Sequence, residues 1–300
     1  KPIIIDSFEI FITASIGIAL SGANYEVPEY YLRDADTAMY RAKSLGKDRY
    51  AIFDVEMHSR VNALLKLDTD LRKAVEMDYF RAFYQPLVSL QSGRVVAVEA
   101  LARWIHPVRG TISPIEFIET AEETGLILVI GELIFRTACQ DLMKWKKAGL
   151  SDFRLAVNFS AKQFQHSNLP RLIKTVLSET GVSPEDLEIE ITESAAMLNI
   201  EFSIGLMKEL SEMGIQISID DFGTGYSSLS YLKRFPIKTL KIDRSFLHNV
   251  PDDPDNCSII RTIIAMAGNL KLNVIAEGVE NQKQLDFLKN NGCETAQGYF

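Results

Sequence analysis

Two hydrophobic rhythms alternate along this chain. Short runs place branched apolar residues at every second position, and longer stretches bring apolar residues back every three or four. The first pattern predicts half-buried strands and the second amphipathic helices. Strands are expected at Phe80–Leu90, Val95–Ala102, Leu155–Val157, Leu187–Ile191, Ile215–Ile219, Thr239–Ile242 and Val274–Ala276. Helices are expected at Ile115–Thr124, Leu128–Ala148, Leu169–Thr180 (stopped by Gly181), Ile200–Met213 (stopped by Gly214) and Asn256–Leu270. Only the turn 91–94 separates the first two strands, so they must be antiparallel; helices separate the rest, which makes those strands parallel. The pattern predicts an α/β fold: a TIM-like (β/α)8 barrel with one antiparallel strand near its start.

A polar residue ends nearly every predicted barrel strand. Glu99, Asn158, Glu190, the pair Asp220-Asp221, Lys241 with Asp243, and Glu277 follow in that order. In a parallel barrel the C-terminal strand ends share one face, so these groups are expected to converge there. Adjacent carboxylates such as Asp220 and Asp221 repel, and a divalent cation is the natural compensation. The competing reading is a solvated Asp-Asp turn whose acids cap a helix. Independent caps do not explain acids, an amide and a lysine in succession.

Residues 1–54 carry a strand (Phe11–Ala19), a helix (Tyr30–Leu45) and a strand (Arg49–Phe53). This is too little chain to bury its own core, so a partial α/β segment is expected. Residues 55–78 keep Val61, Leu64, Leu65, Leu67 and Leu71 on a helical stripe and read as a connector helix. Residues 79–300 are left for the barrel, with Phe300 falling inside its expected last strand, which predicts a barrel cut short at its C-terminus.

A length of 300 residues holds one barrel of roughly 250 and a small remainder. No apolar run approaches the roughly 18 residues of a membrane span. The net charge of −8 argues against a nucleic-acid polymer as partner, though not against a nucleotide whose phosphates meet metal ions. Cys139, Cys257 and Cys293 are odd in number and lack ligand spacing, which predicts a reducing, cytoplasmic setting. His58, His106, His166 and His248 show no zinc-site spacing.

Two resemblances extend this reading. Ser15-Ile16-Gly17-Ile18-Ala19, Ala35 to Lys43 and Gly46-Lys47-Asp48-Arg49 resemble the C-terminal part of the GGDEF diguanylate cyclase family, without that family's Gly-Gly-Asp-Glu-Phe signature. Cyclase activity is therefore not expected. From about Tyr79 onward the chain resembles the EAL family of cyclic di-GMP phosphodiesterases. The likeness runs through Tyr84-Gln85-Pro86, Glu99-Ala100-Leu101-Ala102-Arg103-Trp104, Asn158-Phe159-Ser160, Glu190-Ile191-Thr192-Glu193, Asp220-Asp221-Phe222-Gly223, Lys241-Ile242-Asp243, Glu277-Gly278-Val279-Glu280 and Gln297-Gly298-Tyr299. It implies two Mg²⁺ or Mn²⁺ ions and hydrolysis of cyclic di-GMP to linear pGpG in bacterial signalling.

The residue chemistry suits that implication. Magnesium takes about six oxygens near 2.1 Å and keeps several waters. Glu99, Asn158, Glu190 and Asp220 are the expected ligands of one ion, with Asp220 bridging to a second held also by Asp221. Ions roughly 3.5–4 Å apart can activate a shared water. Glu277 is the candidate general base and Lys241 a fixed cation for nucleophile or phosphate. Arg103 is expected on a substrate phosphate. Gln85 and Pro114 are pocket residues by likeness, grouped with Leu101 and Asp243, while Gln297 orients water or substrate. Glu193 is expected to brace the loop Phe222–Ser228, with Glu280 in a similar support role. Duller readings pair Glu99 with Arg103 and Lys241 with Asp243, and make Trp104 a packing residue. At the level of function the alternatives are a silent cyclic di-GMP receptor and an enolase-type barrel with Lys241 as base. A homodimer through the glycine-containing loop after Asp221, and an upstream sensor or GGDEF region, complete the expectations.

Overall fold

The computed structural model describes residues 3–5, 8–10, 13–20, 27–45, 48–225 and 229–300. The chain divides into two compact units, Lys1–Arg72 and Lys73–Phe300. In the first, Ile3–Ile5 pairs antiparallel with Phe8–Ile10, and Ile16–Ile18 pairs parallel with Tyr50–Ile52 beneath the helix Pro28–Ser44. Phe11 and Ile12, at the start of the expected strand, lie outside the described residues, as do Gly46 and Lys47 of the cyclase-like motif. The expected connector is the helix Val55–Glu76, and the division between units falls inside it.

The second unit is a closed barrel. Its strands are β1 (Phe80–Ser89), β2 (Val95–His106), β3 (Arg154–Asn158), β4 (Leu187–Thr192), β5 (Gln216–Phe222), β6 (Thr239–Ile242), β7 (Asn273–Val279) and β8 (Thr295–Gly298). Pairing is parallel from β2 to β8, while β1 runs antiparallel to both β2 and β8 and closes the ring. Along each strand one set of residues faces the helices and the other the barrel axis. Leu155, Val157, Ile189, Ile191, Ile217, Ile219, Leu240 and Ile242 belong to the main core beneath the helices. Burying each such side chain contributes roughly 1.5–3 kcal/mol.

Three features depart from the sequence reading. First, Phe300 lies two residues past the last strand, Thr295–Gly298, whose Thr295 and Ala296 pair with Ser89 and Val88. Second, β2 runs on to His106 and folds back as the short strand Gly110–Ile112. His106 Nδ1 accepts hydrogen bonds from the Val108 and Arg109 amides at 3.1 Å and holds that turn. Third, the helix Gln282–Asn290, which the sequence reading leaves unassigned, buries Gln284, Phe287 and Leu288 on one face of an otherwise polar segment.

A bulge follows Glu277. The register of β7 against β8 shifts between Glu277 and Val279, and Gly278 takes φ +73°, in the left-handed region that favours glycine. A Cβ on Gly298 would lie 1.9 Å from Val279 O, so only glycine lets β8 pass this point.

Candidate active site at the barrel mouth

The barrel strands deliver polar groups to the C-terminal mouth, β5 two of them, and Lys241 stands at the centre. Its Nζ lies 2.6 Å from Glu190 Oε2, 2.6 Å from Glu277 Oε1, 3.5 Å from Asp220 Oδ1 and 3.7 Å from Glu99 Oε2. Lys241 and Glu190 are fully buried. The Lys241–Asp243 pairing weighed from sequence is not formed; Asp243 Oδ1 instead accepts from the Ser245 amide at 2.9 Å and caps the turn Arg244–Leu247.

Asp220 and Asp221 reach the same place because the strand breaks its alternation there. Consecutive residues of a regular strand point to opposite faces. Here the pairing of β5 with β6 shifts register between Ile219 and Phe222, and Asp221 adopts φ +54°. Carboxylate oxygens of Asp220, Asp221 and Glu277 consequently lie within 4.8 Å of one another.

Four carboxylates thus gather around one buried ammonium, and Asp221 joins the cluster beside Asp220 and Glu277. Burial pushes Glu277 up to about 8, assisted by Asp220 and opposed by Lys241. Burial and the neighbouring Asp220 likewise push Asp221 up to about 6. Burial also raises Glu99, but Lys241 and hydrogen bonds from Gln297 and Asn158 outweigh it and hold Glu99 below the usual carboxylate range. Lys241 pays a desolvation penalty that the surrounding acids more than offset, so it stays charged. The excess negative charge is met by protons when no cation is bound.

That donor set fits divalent cations. Glu190 Oε1 is buried without a partner, and Asn158 turns its Nδ2 toward Glu99, which leaves a neutral carbonyl oxygen to ligate. All donors are oxygens, the preference of Mg²⁺ and Mn²⁺.

The remaining predicted residues divide between the centre and its rim. Gln297 is buried, donating to Glu99 Oε2 and, at 3.1 Å, to Gln85 Oε1, so it touches a ligand candidate rather than open space. Gln85 donates to Gly298 O at 3.3 Å. Leu101 and Pro114 line a cavity of about 510 Å³ that also contains Asn158, Asp220 and Asp221. Arg103 does not pair with Glu99; its guanidinium lies over the Phe83 ring, 5.9 Å from the centroid. Trp104 is buried between Phe80 and Phe117. Glu193 Oε2 accepts from the Gly223 amide at 2.9 Å, and its Oε1 would sit 2.7 Å from a Cβ on Gly225. The expected brace extends to Tyr226–Ser228, which lie outside the described residues. Glu280 is exposed, and its backbone amide rather than its carboxylate is tied down, donating to Gln284 Oε1 at 2.8 Å. A larger cavity of about 870 Å³ holds Glu280 but none of the clustered acids, whereas Asp220 and Asp221 line the smaller one.

Sequence reasoning passes over Gln163 and Phe83. Ser160 and Gln163 form a capping box directly after Asn158, a Ser-x-x-Gln spacing that is readable in advance. Nothing local marks Phe83, whose place depends on strand pairing.

Fold and centre together define a TIM-like barrel with a carboxylate-rich site at its C-terminal mouth. The chain belongs to the EAL domain family, whose model matches residues 68–300. It is 42% identical over 299 residues to the bifunctional diguanylate cyclase/cyclic di-GMP phosphodiesterase MucR of Pseudomonas aeruginosa, covering 100% of this chain and 44% of that protein. It is 41% identical over 298 residues to the cyclic di-GMP phosphodiesterase PdeR of Escherichia coli, covering 99% of this chain and 45% of the relative. The chain therefore spans less than half the length of these relatives. Among solved structures, the PaMucR phosphodiesterase in complex with c-di-GMP superposes with a TM-score of 0.76 at 44% identity, covering 78% of this chain and 94% of that one. No helix among the described residues is long and apolar enough to cross a membrane.

Proposed function

We propose that this chain hydrolyses cyclic di-GMP to linear pGpG with two divalent cations, Mg²⁺ or Mn²⁺. The observation that carries the reading is the convergence of Glu99, Glu190, Asp220 and Glu277 on Lys241, with Asp221 beside Asp220 and Glu277. The names of MucR and PdeR and the PaMucR complex support the substrate.

Glu99, Asn158, Glu190 and Asp220 would hold one ion, and Asp220 with Asp221 the second. Bound there, the ions supply Lewis-acid activation of water and neutralise charge on the phosphodiester. Glu277 accepts the proton of the attacking water as the water oxygen adds to phosphorus and one ester P–O bond breaks, and the departing ribose oxygen takes up a proton from solvent to become the hydroxyl of the linear product. With its proton affinity raised by burial, Glu277 is matched to that task near neutral pH. Lys241 holds Glu277 and Glu190 in place and stays cationic throughout. Arg103 takes a phosphate oxygen, while Leu101 and Pro114 cover the nucleoside.

Purified protein with Mg²⁺ and cyclic di-GMP should yield pGpG, and an E277Q variant should bind but cut roughly 10²- to 10⁴-fold more slowly. Binding without product in the parent would overturn hydrolysis in favour of a receptor.

The same reading assigns residues 1–54 to a GGDEF-like domain, supported by the exposed apolar faces of Ile16, Leu32 and Ile52. Residues 55–78 connect it to the barrel, an upstream sensor or GGDEF region adds its input, and the setting is cytoplasmic. Homodimers would form near the loop after Asp221, where Gly223 and Gly225 permit movement. Activity per chain should then fall on dilution through the dissociation range, and a constant value would remove the dimer.

A further inference from the structure

We propose that Phe83 is a stacking platform for a nucleobase of the substrate; this rests on the cyclic dinucleotide reading above. Phe83 lies on β1 two residues from Gln85, whose side chain reaches into the mouth to meet Gln297. Register along β1 and β2 is unbroken from Phe80 to Leu87, pairing Gln85 with Glu99 and Phe83 with Leu101. Alternation therefore places Phe83 on the face that carries Glu99, about 7 Å further out along the strand.

Phe83 is 49% exposed, although Phe80, on the other face of the strand, is buried. One contact is set: the Arg103 guanidinium lies over it. Opposite Arg103 in the register stands Arg81, but Arg81 is occupied, 3.2 Å from Asp78 Oδ2 and donating to two backbone carbonyls. Arg103 donates only to the carbonyl of Ala102 at 2.8 Å, and among the described residues it has no carboxylate within the 4.0 Å of an ion pair. A cation with free donors, a half-exposed aromatic and Leu101 thus stand side by side next to the acids. Phosphate on the guanidinium and a base on the ring is the combination that uses all three. Stacking of this kind discriminates aromatic from aliphatic side chains, because every base offers a π-face.

The test compares F83A, F83L and F83Y with the parent in Mg²⁺. F83A and F83L should raise KM for cyclic di-GMP about tenfold, with a much smaller change in kcat, and F83Y should stay near the parent. A cyclic dinucleotide carrying 2-aminopurine should lose fluorescence on binding the parent and F83Y, and keep more of it on F83L. If the parent binds and cuts while F83A and F83L keep its KM and its quenching, the platform is overturned. A parent that neither binds nor cuts cyclic di-GMP overturns the underlying reading, and the platform with it.

Discussion

Lys241 Nζ and Glu277 Oε1 meet at 2.6 Å across neighbouring strands, the ammonium fully buried and the carboxylate 19% exposed. Among the described residues Lys241 is the one cation ion-paired with these acids, so the lysine is a structural requirement before it is a chemical one. Replacing it by methionine strands Glu190 and Glu99 without a counter-charge. K241M should cost about 3 kcal/mol or more in chemical unfolding of the metal-free protein, as for a broken buried pair, and should abolish hydrolysis. Parental stability in K241M would mean that these contacts do not form in solution.

Metal binding and pH should be linked in one direction. Glu277, pushed up to about 8, and Asp221, pushed up to about 6, bind more protons in the folded metal-free protein than in the unfolded chain. Their contribution to stability is present at acid pH and is lost as pH rises through those values. Cations compete with the same protons. Titration calorimetry should show Mg²⁺ affinity rising from pH 6 to 8 with proton release, while the metal-free melting temperature falls over that window. Affinity that is flat across it would contradict the assignment.

Glu193 acts on the loop after β5 through one hydrogen bond and one close approach. E193A removes the acceptor of the Gly223 amide, and G225A drives a methyl against Glu193 Oε1. Both should lower activity about tenfold or more through mispositioning. Hydrogen exchange at Gly223 should accelerate in E193A, whereas E193Q, which keeps an acceptor oxygen, should lie between. Unchanged exchange in E193A would remove the bracing role.

Two glycines should respond oppositely to alanine. At Gly298 a Cβ would meet Val279 O at 1.9 Å and its amide at 2.5 Å, so G298A should cost about 2 kcal/mol or more and open the β7–β8 seam. In the helix Ile200–Glu212, Gly205 has nothing within 4 Å of its Cβ position, and G205A should stabilise by about 0.5–1 kcal/mol. Thermal melts of the two variants decide both.

The sequence by itself determined the strands, the reversed first strand and the polar residue at most strand ends, because alternation and turn length are local properties. It also marked Asp220 and Asp221 as a pair that needs compensating charge. Tertiary structure decided which groups meet. Lys241 serves Glu190 and Glu277 rather than Asp243, Gln297 reaches Glu99 across the closing seam, and Phe83 comes to lie beside Leu101 and Arg103. Each of these depends on strand order and register, which join residues from 18 (Phe83 and Leu101) to 198 (Gln297 and Glu99) positions apart in the chain and leave no local periodicity to read. The left-handed Asp221 is of the same kind: only the shifted pairing of β5 with β6 shows that two consecutive side chains point to one place.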